Sequence, residues 1–144
     1  MIVVDDHLAL LVLAEALPVA DLGDDVATTS LWYLRLVAAA TGPPSDMHGP
    51  GRLGRVLGAL PDPAAALERI LHPAPAMLTV LHPMEFAVEM ARVQREQRLN
   101  LLAAETLGAA LHHDGSILVA APNAGGPIQV AATALRIAYT VRNS

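Results

Sequence analysis

Two adjacent carboxylates, Asp5 and Asp6, follow directly after the apolar run Ile2–Val4. A short, continuous aliphatic run is typical of a strand that is buried on both faces of a parallel sheet. Ligands of open α/β sheets bind beyond the carboxyl ends of the strands, so Asp5 lies where such a domain does its chemistry. A cluster of carboxylates there would hold a divalent cation, whereas a lone Asp5 would cap the next helix. Because successive strand side chains point to opposite faces, Asp6 is not automatically a second ligand and is expected to be an N-cap or first-turn acid.

Histidine and serine side chains are the second group of candidates, for metal binding and for nucleophilic catalysis. His7 and His82 follow predicted strands and could approach Asp5 as a small metal-binding set, although solvated or hydrogen-bonded histidine is the simpler interpretation. The six histidines contain no HExxH motif and no pair at i, i+4. Ser30 and Ser116 lack the sequence context of a nucleophile elbow. The absence of cysteine excludes thiolate catalysis, disulfides and cysteine-based zinc sites.

Two groups of arginines are candidates for binding. Arg92, Arg95 and Arg98 recur at a spacing that places them on one side of a helix, and Arg52 with Arg55 forms a second pair. Guanidinium groups spaced in this way contact phosphates or acidic groups of a partner. The alternative is a solvated helix face on which the arginines pair with neighbouring glutamates.

The sequence predicts strands and helices that alternate along the chain, and this alternation determines where the candidate side chains lie. Patterning predicts strands over residues 2–4, 26–28, 77–81, 116–120 and 137–141. It predicts helices over residues 6–17, 30–40, 52–60, 63–71 and 127–136, a helical tract over 83–113 broken near 99–100, and a loop over 43–51. Either Thr29 or Ser30 is expected to cap the second helix. This order predicts an α/β fold, a three-layer α/β/α sandwich with a mostly parallel central sheet.

Length and composition indicate a single domain over residues 1–144. The chain is 53% hydrophobic and only 3% aromatic, so alanine, leucine and valine must build its core. All basic residues are arginine, and the net charge of −5 argues against broad attraction to nucleic acid, although a local basic patch is compatible with it. No apolar stretch is long enough for a membrane span, and no basic region precedes the first apolar run. We therefore expect a cytoplasmic protein that does not insert into membranes.

The two ends of the chain resemble a known family. MIVVDDHLALLVLAEALP resembles the opening of a PIN-domain nuclease, in which a strand delivers an Asp ahead of an apolar helix. Residues 98–104 and 113–119, followed by Asn123, resemble the carboxyl-terminal signature of that family. The resemblance covers nearly the whole chain. It implies a PIN-like fold and a ribonuclease dependent on Mg²⁺ or Mn²⁺, often the toxin of a bacterial toxin–antitoxin pair.

The sequence departs from the family pattern at the acidic positions. Asp5 matches the first acid, but the other three acids of the family fall near Arg35 and on Asn100 and Asn123. An amide can ligate a cation but does not neutralise it, and an arginine would bring positive charge into the pocket. Asn100 and Asn123 are also suitable as a helix cap and a turn residue. Glu15 or Glu105 could restore one acidic position.

We therefore expect a degenerate PIN-like domain in which Asp5 is the only metal ligand, if any metal binds, and no cofactor is required. Such a domain would act as a non-catalytic binding or regulatory module. Its partner would be a protein, either a second copy in a homo-oligomer or an antitoxin-like protein, or RNA. The alternatives are a Mg²⁺- or Mn²⁺-dependent endoribonuclease toxin with an altered ligand set, and a structural homodimer subunit.

Overall fold

A five-stranded parallel sheet forms the centre of the molecule. The computed structural model describes residues 1–42 and 51–143. Within these residues the strands are β1 (Ile2–Val4), β2 (Val26–Thr29), β3 (Thr79–Leu81), β4 (Ser116–Ala120) and β5 (Tyr139–Arg142). They are ordered β3-β2-β1-β4-β5, and every pair is parallel. The predicted α/β class and parallel sheet are confirmed.

Seven helices of the described chain cover the two faces of the sheet. They are α1 (Asp6–Leu13), α2 (Ser30–Thr41), α3 (Arg52–Gly58), α4 (Pro63–Leu71), α5 (Ala87–Gln97), α6 (Leu101–His112) and α7 (Gly126–Ala134). Side chains of α5, α6 and α7 pack in one apolar cluster with Val3 and Ile117 of the sheet. Side chains of α1 to α4 pack in a second cluster with Val4 and Val26. Because neighbouring strand residues face opposite sides, the two clusters are the two interfaces of a three-layer sandwich.

β1 is the central strand and decides where a site can form. Val3 and Val4 are both buried, as the aliphatic run predicted. Their backbones pair with β2 on one side and with β4 on the other. The chain order of the strands reverses between β1 and β4, and such a switch point leaves a crevice at the carboxyl ends of the two strands. Asp5 enters this crevice from β1.

Several predicted boundaries were wrong because of local turns. α1 ends at Leu13 and not at Leu17, since Glu15 has a positive φ of 58° and the amides of Ala16 and Leu17 both donate to Leu11. Leu17 also precedes a proline, a position that disfavours helical backbone. The long helical tract breaks at Arg98, which has a φ of 54°, so the break is where the sequence placed it. A short 3₁₀ turn, Pro83–Phe86, precedes α5.

The predicted strands β3 and β5 begin too early by two residues each. The amides of Met77 and Leu78 donate to Ala74 in a turn, so β3 starts only at Thr79. Ile137 donates to Ala132 and closes the end of α7, so β5 starts at Tyr139. Most of the loop predicted over 43–51 lies outside the described residues. Across the described ranges, no helix combines the length and the apolar character that a membrane span requires.

Candidate functional site at the carboxyl edge of the sheet

The carboxylate of Asp5 links β1, α1 and β4. Its Oδ1 accepts a hydrogen bond from the amide of Leu8 at 2.9 Å and thereby caps α1. Its Oδ2 accepts from the amide of Ala120, at the end of β4, at 2.8 Å. The side chain is buried, and this burial raises the pKa of the Asp5 carboxyl group, while hydrogen bonds from Leu8, Asn123 and Ala120 oppose the rise. Asp5 therefore fulfils the helix-capping role that the sequence allowed for it.

Asn123 joins the two adjacent carboxylates. It lies in the 3₁₀ turn Ala121–Asn123 directly after β4. Its Nδ2 donates to Asp5 Oδ2 and to Asp6 Oδ1, both at 2.8 Å. Asp6, the first residue of α1, is fully buried and shares this donor with Asp5. Asp6 is the first-turn acid of α1, as predicted, and it shares a donor with Asp5 because at Asp6 the chain is already helical and strand alternation no longer applies.

Arg35 contributes a positive charge from the middle of α2. Its Nε lies 3.4 Å from Asp6 Oδ2, and its guanidinium lies 5.0 Å from the ring centroid of Trp32. Asp6 Oδ2 accepts no hydrogen bond within the described part of the chain, so Arg35 is its nearest source of compensation. The side chain of Arg35 is 48% exposed, and its stacking on an aromatic face restricts it to this edge of the pocket. The sequence expectation of a positive charge at this position agrees with this geometry.

Arg52 reaches the same cluster from the start of α3. Its Nη2 donates to Asn123 Oδ1 at 3.1 Å and lies 4.0 Å from Asp6 Oδ1. Its Nη1 lies 2.8 Å from Nδ1 of His7, and because a guanidinium only donates, this ring nitrogen is the acceptor. The amide orientation of Asn123 follows from the same network, with its oxygen towards Arg52 and its nitrogen towards the carboxylates.

The prediction that Arg52 and Arg55 form one binding pair was wrong. Arg55 is exposed, whereas Arg52 turns inward to the acidic side chains. The spacing of the two arginines along α3 could not reveal this difference, because the inward direction of Arg52 depends on where α3 lies against α1. The position of Asp6 next to Asp5 was the signal in the sequence for a second acid beside it.

A pocket of about 270 Å³ opens beside this cluster. Trp32, Arg35, Asn100, Asn123 and the start of α7 line it. Asn100 is the N-cap of α6, and its Oδ1 accepts from the amide of Ala103 at 2.8 Å. Asn100 is therefore a neighbour of the acidic pair that lines the same pocket, and its side-chain oxygen already has a structural partner.

Other acidic and histidine candidates do not join the pair. Glu15 lies in an ion pair with Arg69 at 3.2 Å and is 62% exposed. Glu105 is fully buried, and its oxygens accept from Ser30 Oγ at 2.6 Å and from the amide of Leu31 at 2.7 Å. Glu105 thus caps α2, whereas Thr29 or Ser30 was expected to cap it. His82 is exposed ahead of the 3₁₀ turn Pro83–Phe86.

The arrangement does not fit Mg²⁺ or Mn²⁺. Over residues 1–42 and 51–143, no three His, Asp or Glu side chains come together as a possible metal site. Both oxygens of Asp5 accept N–H donors, and the amide nitrogen of Asn123 bridges the two carboxylates. A divalent cation requires oxygen ligands at this point, and a nitrogen that carries hydrogen repels it. Arg35 and Arg52 compensate the charge of the pair.

Comparison with known proteins supports the fold. No family model matches the sequence, and no curated protein matches it. A chain in the solved structure of FitAB bound to an IR36 DNA fragment superposes with a TM-score of 0.55 at 15% identity. The match covers 98% of this chain and 94% of that chain. The fold is PIN-like.

A separate row of arginines lies on the outer surface of the molecule. Arg92, Arg95 and Arg98 are all exposed on or directly after α5, and we call them the α5 arginine row. They form no ion pair with the residues that the structure describes. The turn from Arg98 to Asn100 brings one end of this row to the pocket edge. A hydrogen bond with His112 and, less strongly, the nearby charge of Arg92 lower the pKa of the Glu89 carboxyl group, so solvated pairing with glutamates stays an alternative for Arg92.

Replacing Asp5 with asparagine tests how the acidic pair is held. We expect Asp5→Asn to lower the free energy of unfolding by about 1 kcal/mol, because an amide nitrogen would face an N–H donor at Leu8 or at Ala120. Urea denaturation at neutral pH in metal-free buffer measures this change. Asp24→Asn is the matched control at an exposed position and should change stability little. A clear stabilisation by Asp5→Asn would show instead that repulsion between the two carboxylates dominates.

Proposed function

We propose that this chain is a PIN-like binding or regulatory module that does not hydrolyse RNA. One observation carries the proposal: Asn123 Nδ2 lies 2.8 Å from an oxygen of each carboxylate of the acidic pair. A donor at this point bonds to one oxygen of each acid and occupies the place where a cation would bridge them. The charges of Arg35 and Arg52 beside Asp6 support the same conclusion.

Proton transfer at the site is also disfavoured. A general base must have a free lone pair within reach of the attacking water. The oxygens of Asp5 accept three N–H donors, and Asp6 is fully buried beside two guanidinium groups. His7 accepts from Arg52 through Nδ1. Asp5 and His7 are therefore committed to their donors, and the Asp6 oxygen that accepts no hydrogen bond in the described chain is buried beside Arg35.

The resemblance to PIN-domain toxins supports a protein partner, either a second copy of the chain or an antitoxin-like protein. The neighbour of similar fold, FitAB, is described in a complex with DNA. RNA is the second candidate, and the α5 arginine row supports it, because exposed guanidinium groups without internal partners bind phosphate. A homo-oligomer, the absence of a cofactor and a cytoplasmic location stay predictions.

RNA incubation tests this function directly. We expect wild-type protein in millimolar Mg²⁺ or Mn²⁺ to leave a structured RNA as intact as the Asp5→Asn variant does. Fluorescence anisotropy of the same RNA should show binding that weakens with salt. Changing the three arginines of the α5 arginine row to glutamine should weaken it by about tenfold or more, whereas the control Arg136→Gln should not.

Two results would contradict the proposal in different ways. Metal-dependent cleavage by the wild type that disappears in Asp5→Asn would establish the alternative, a Mg²⁺- or Mn²⁺-dependent endoribonuclease. Failure to bind RNA, with equal anisotropy for the arginine variants, would exclude RNA as the partner and leave the protein partner.

A further inference from the structure

Arg52 occupies a position from which it controls access to the acidic pair. Its guanidinium contacts Asn123 and Asp6 on one side and His7 on the other. We propose that Arg52 is an intramolecular gate: a tethered cation, delivered by α3, that substitutes for a metal ion at Asp5 and Asp6 and prevents one from binding. This inference rests on the proposed function and deepens it, because it names the residue that closes the site.

The contacts of Arg52 distinguish it from Arg35. Arg35 lies against the ring of Trp32 and approaches only Asp6 Oδ2, the oxygen that Asn123 does not contact. Arg52 instead reaches Asp6 Oδ1, the oxygen that Asn123 also contacts. Its Nη2 donates to the same amide whose nitrogen bridges the acidic pair, so Arg52 fixes the orientation of that amide. Of the two cations, Arg52 is therefore the one that holds the bridging donor in place.

The net charge of the site explains how Arg52 would exclude a divalent cation. The two carboxylates and the two nearby arginines balance each other, so a divalent cation would enter a site with no net negative charge. Replacing Asn123 with aspartate removes the bridging donor and adds a ligand oxygen, but Arg52 is left to pair with the enlarged cluster. Cation binding should therefore become appreciable only when the positive charge of Arg52 is removed as well.

Manganese titration of the full chain tests the gate. Four variants share the change Asn123→Asp: alone, with Arg52→Gln, with Arg52→Lys, and with Arg55→Gln as a matched change on the same helix. Isothermal titration with Mn²⁺ alone, supported by the loss of the free Mn²⁺ signal in electron paramagnetic resonance, gives the affinities. We expect the Arg52→Gln combination to bind at least about tenfold more tightly than Asn123→Asp alone. The Arg52→Lys and Arg55→Gln combinations should match Asn123→Asp alone.

Each alternative result overturns the gate. Equal affinity for all four variants would show that Arg52 does not exclude the cation. A larger gain for Asn123→Asp with Arg35→Gln than for Asn123→Asp with Arg52→Gln would show that Arg35, and not Arg52, excludes it. If thermal melting shows that the Arg52→Gln combination is unfolded, Asn123→Asp with Arg52→Met replaces it and is compared with the Arg52→Lys combination, and only the former should gain Mn²⁺ affinity. Cleavage of RNA by the wild type would refute the proposed function whatever these titrations give.

Discussion

Glu105→Ala is expected to lower the free energy of unfolding by about 3 kcal/mol, one of the two largest changes among the substitutions considered. Glu105 is fully buried in α6, and its two oxygens accept from Ser30 Oγ and from the amide of Leu31. Alanine would leave both donors at the start of α2 without an acceptor and would open a cavity. Urea denaturation followed by circular dichroism measures the loss.

Glu96→Ala provides the control for Glu105→Ala. Glu96 is also a helical glutamate, but it is exposed on α5, so its removal should change stability by less than about 0.5 kcal/mol. Equal losses for the two variants would show that the hydrogen bonds to α2 contribute nothing particular. A small loss for Glu105→Ala would mean that α2 finds another cap.

The second large effect is expected from a glycine at the interface of two helices. A Cβ atom added at Gly108 of α6 would lie 2.9 Å from Cα and 3.0 Å from the backbone nitrogen of Met90 in α5. Backbone cannot rotate away as a side chain can, so the two helices must separate. We expect Gly108→Ala to destabilise the protein by about 3 kcal/mol, at the upper end of overpacking changes. Thermal and urea unfolding give the value.

Gly58→Ala is the same substitution in an open position. No atom lies within 4 Å of a Cβ added at Gly58, at the end of α3. Alanine reduces the freedom of the unfolded chain, so stability should rise by a few tenths of a kcal/mol to about 1 kcal/mol. Opposite signs for the two variants would confirm close helix packing at Gly108. A neutral Gly108→Ala would contradict it.

The backbone plan could be predicted from the sequence to a large extent. The aliphatic run before Asp5 predicted the central strand, and Asn100 predicted the start of α6, because these patterns depend on neighbours in the chain. Errors arose where a turn ended a helix or strand. Glu15 is an example, because it adopts a positive φ and no glycine at that position indicates the turn in the sequence. Such turns depend on packing of the following segment.

The candidate site was predictable only in part. Asp5, Arg35 and Asn123 could be placed near one another from the resemblance to the family, and the structure brings them to one edge of the sheet. The inward direction of Arg52 could not be predicted, because α3 is separated from α1 in sequence and only the tertiary fold joins them. The role of Glu105 was missed for the same reason, since its partners lie more than seventy residues away.

The hydrogen bond between Asp5 and Ala120 joins residues that are 115 positions apart. Synthesis proceeds from the amino terminus, so both acids leave the ribosome long before β4 and Asn123 exist. Until then, the two carboxylates depend on water for hydrogen bonds, and β1 lacks one of its two neighbours. Closing so long a loop carries a large entropic cost and is characteristic of slow steps in folding. The nascent chain therefore carries an open acidic pair, and the mature protein carries a closed one.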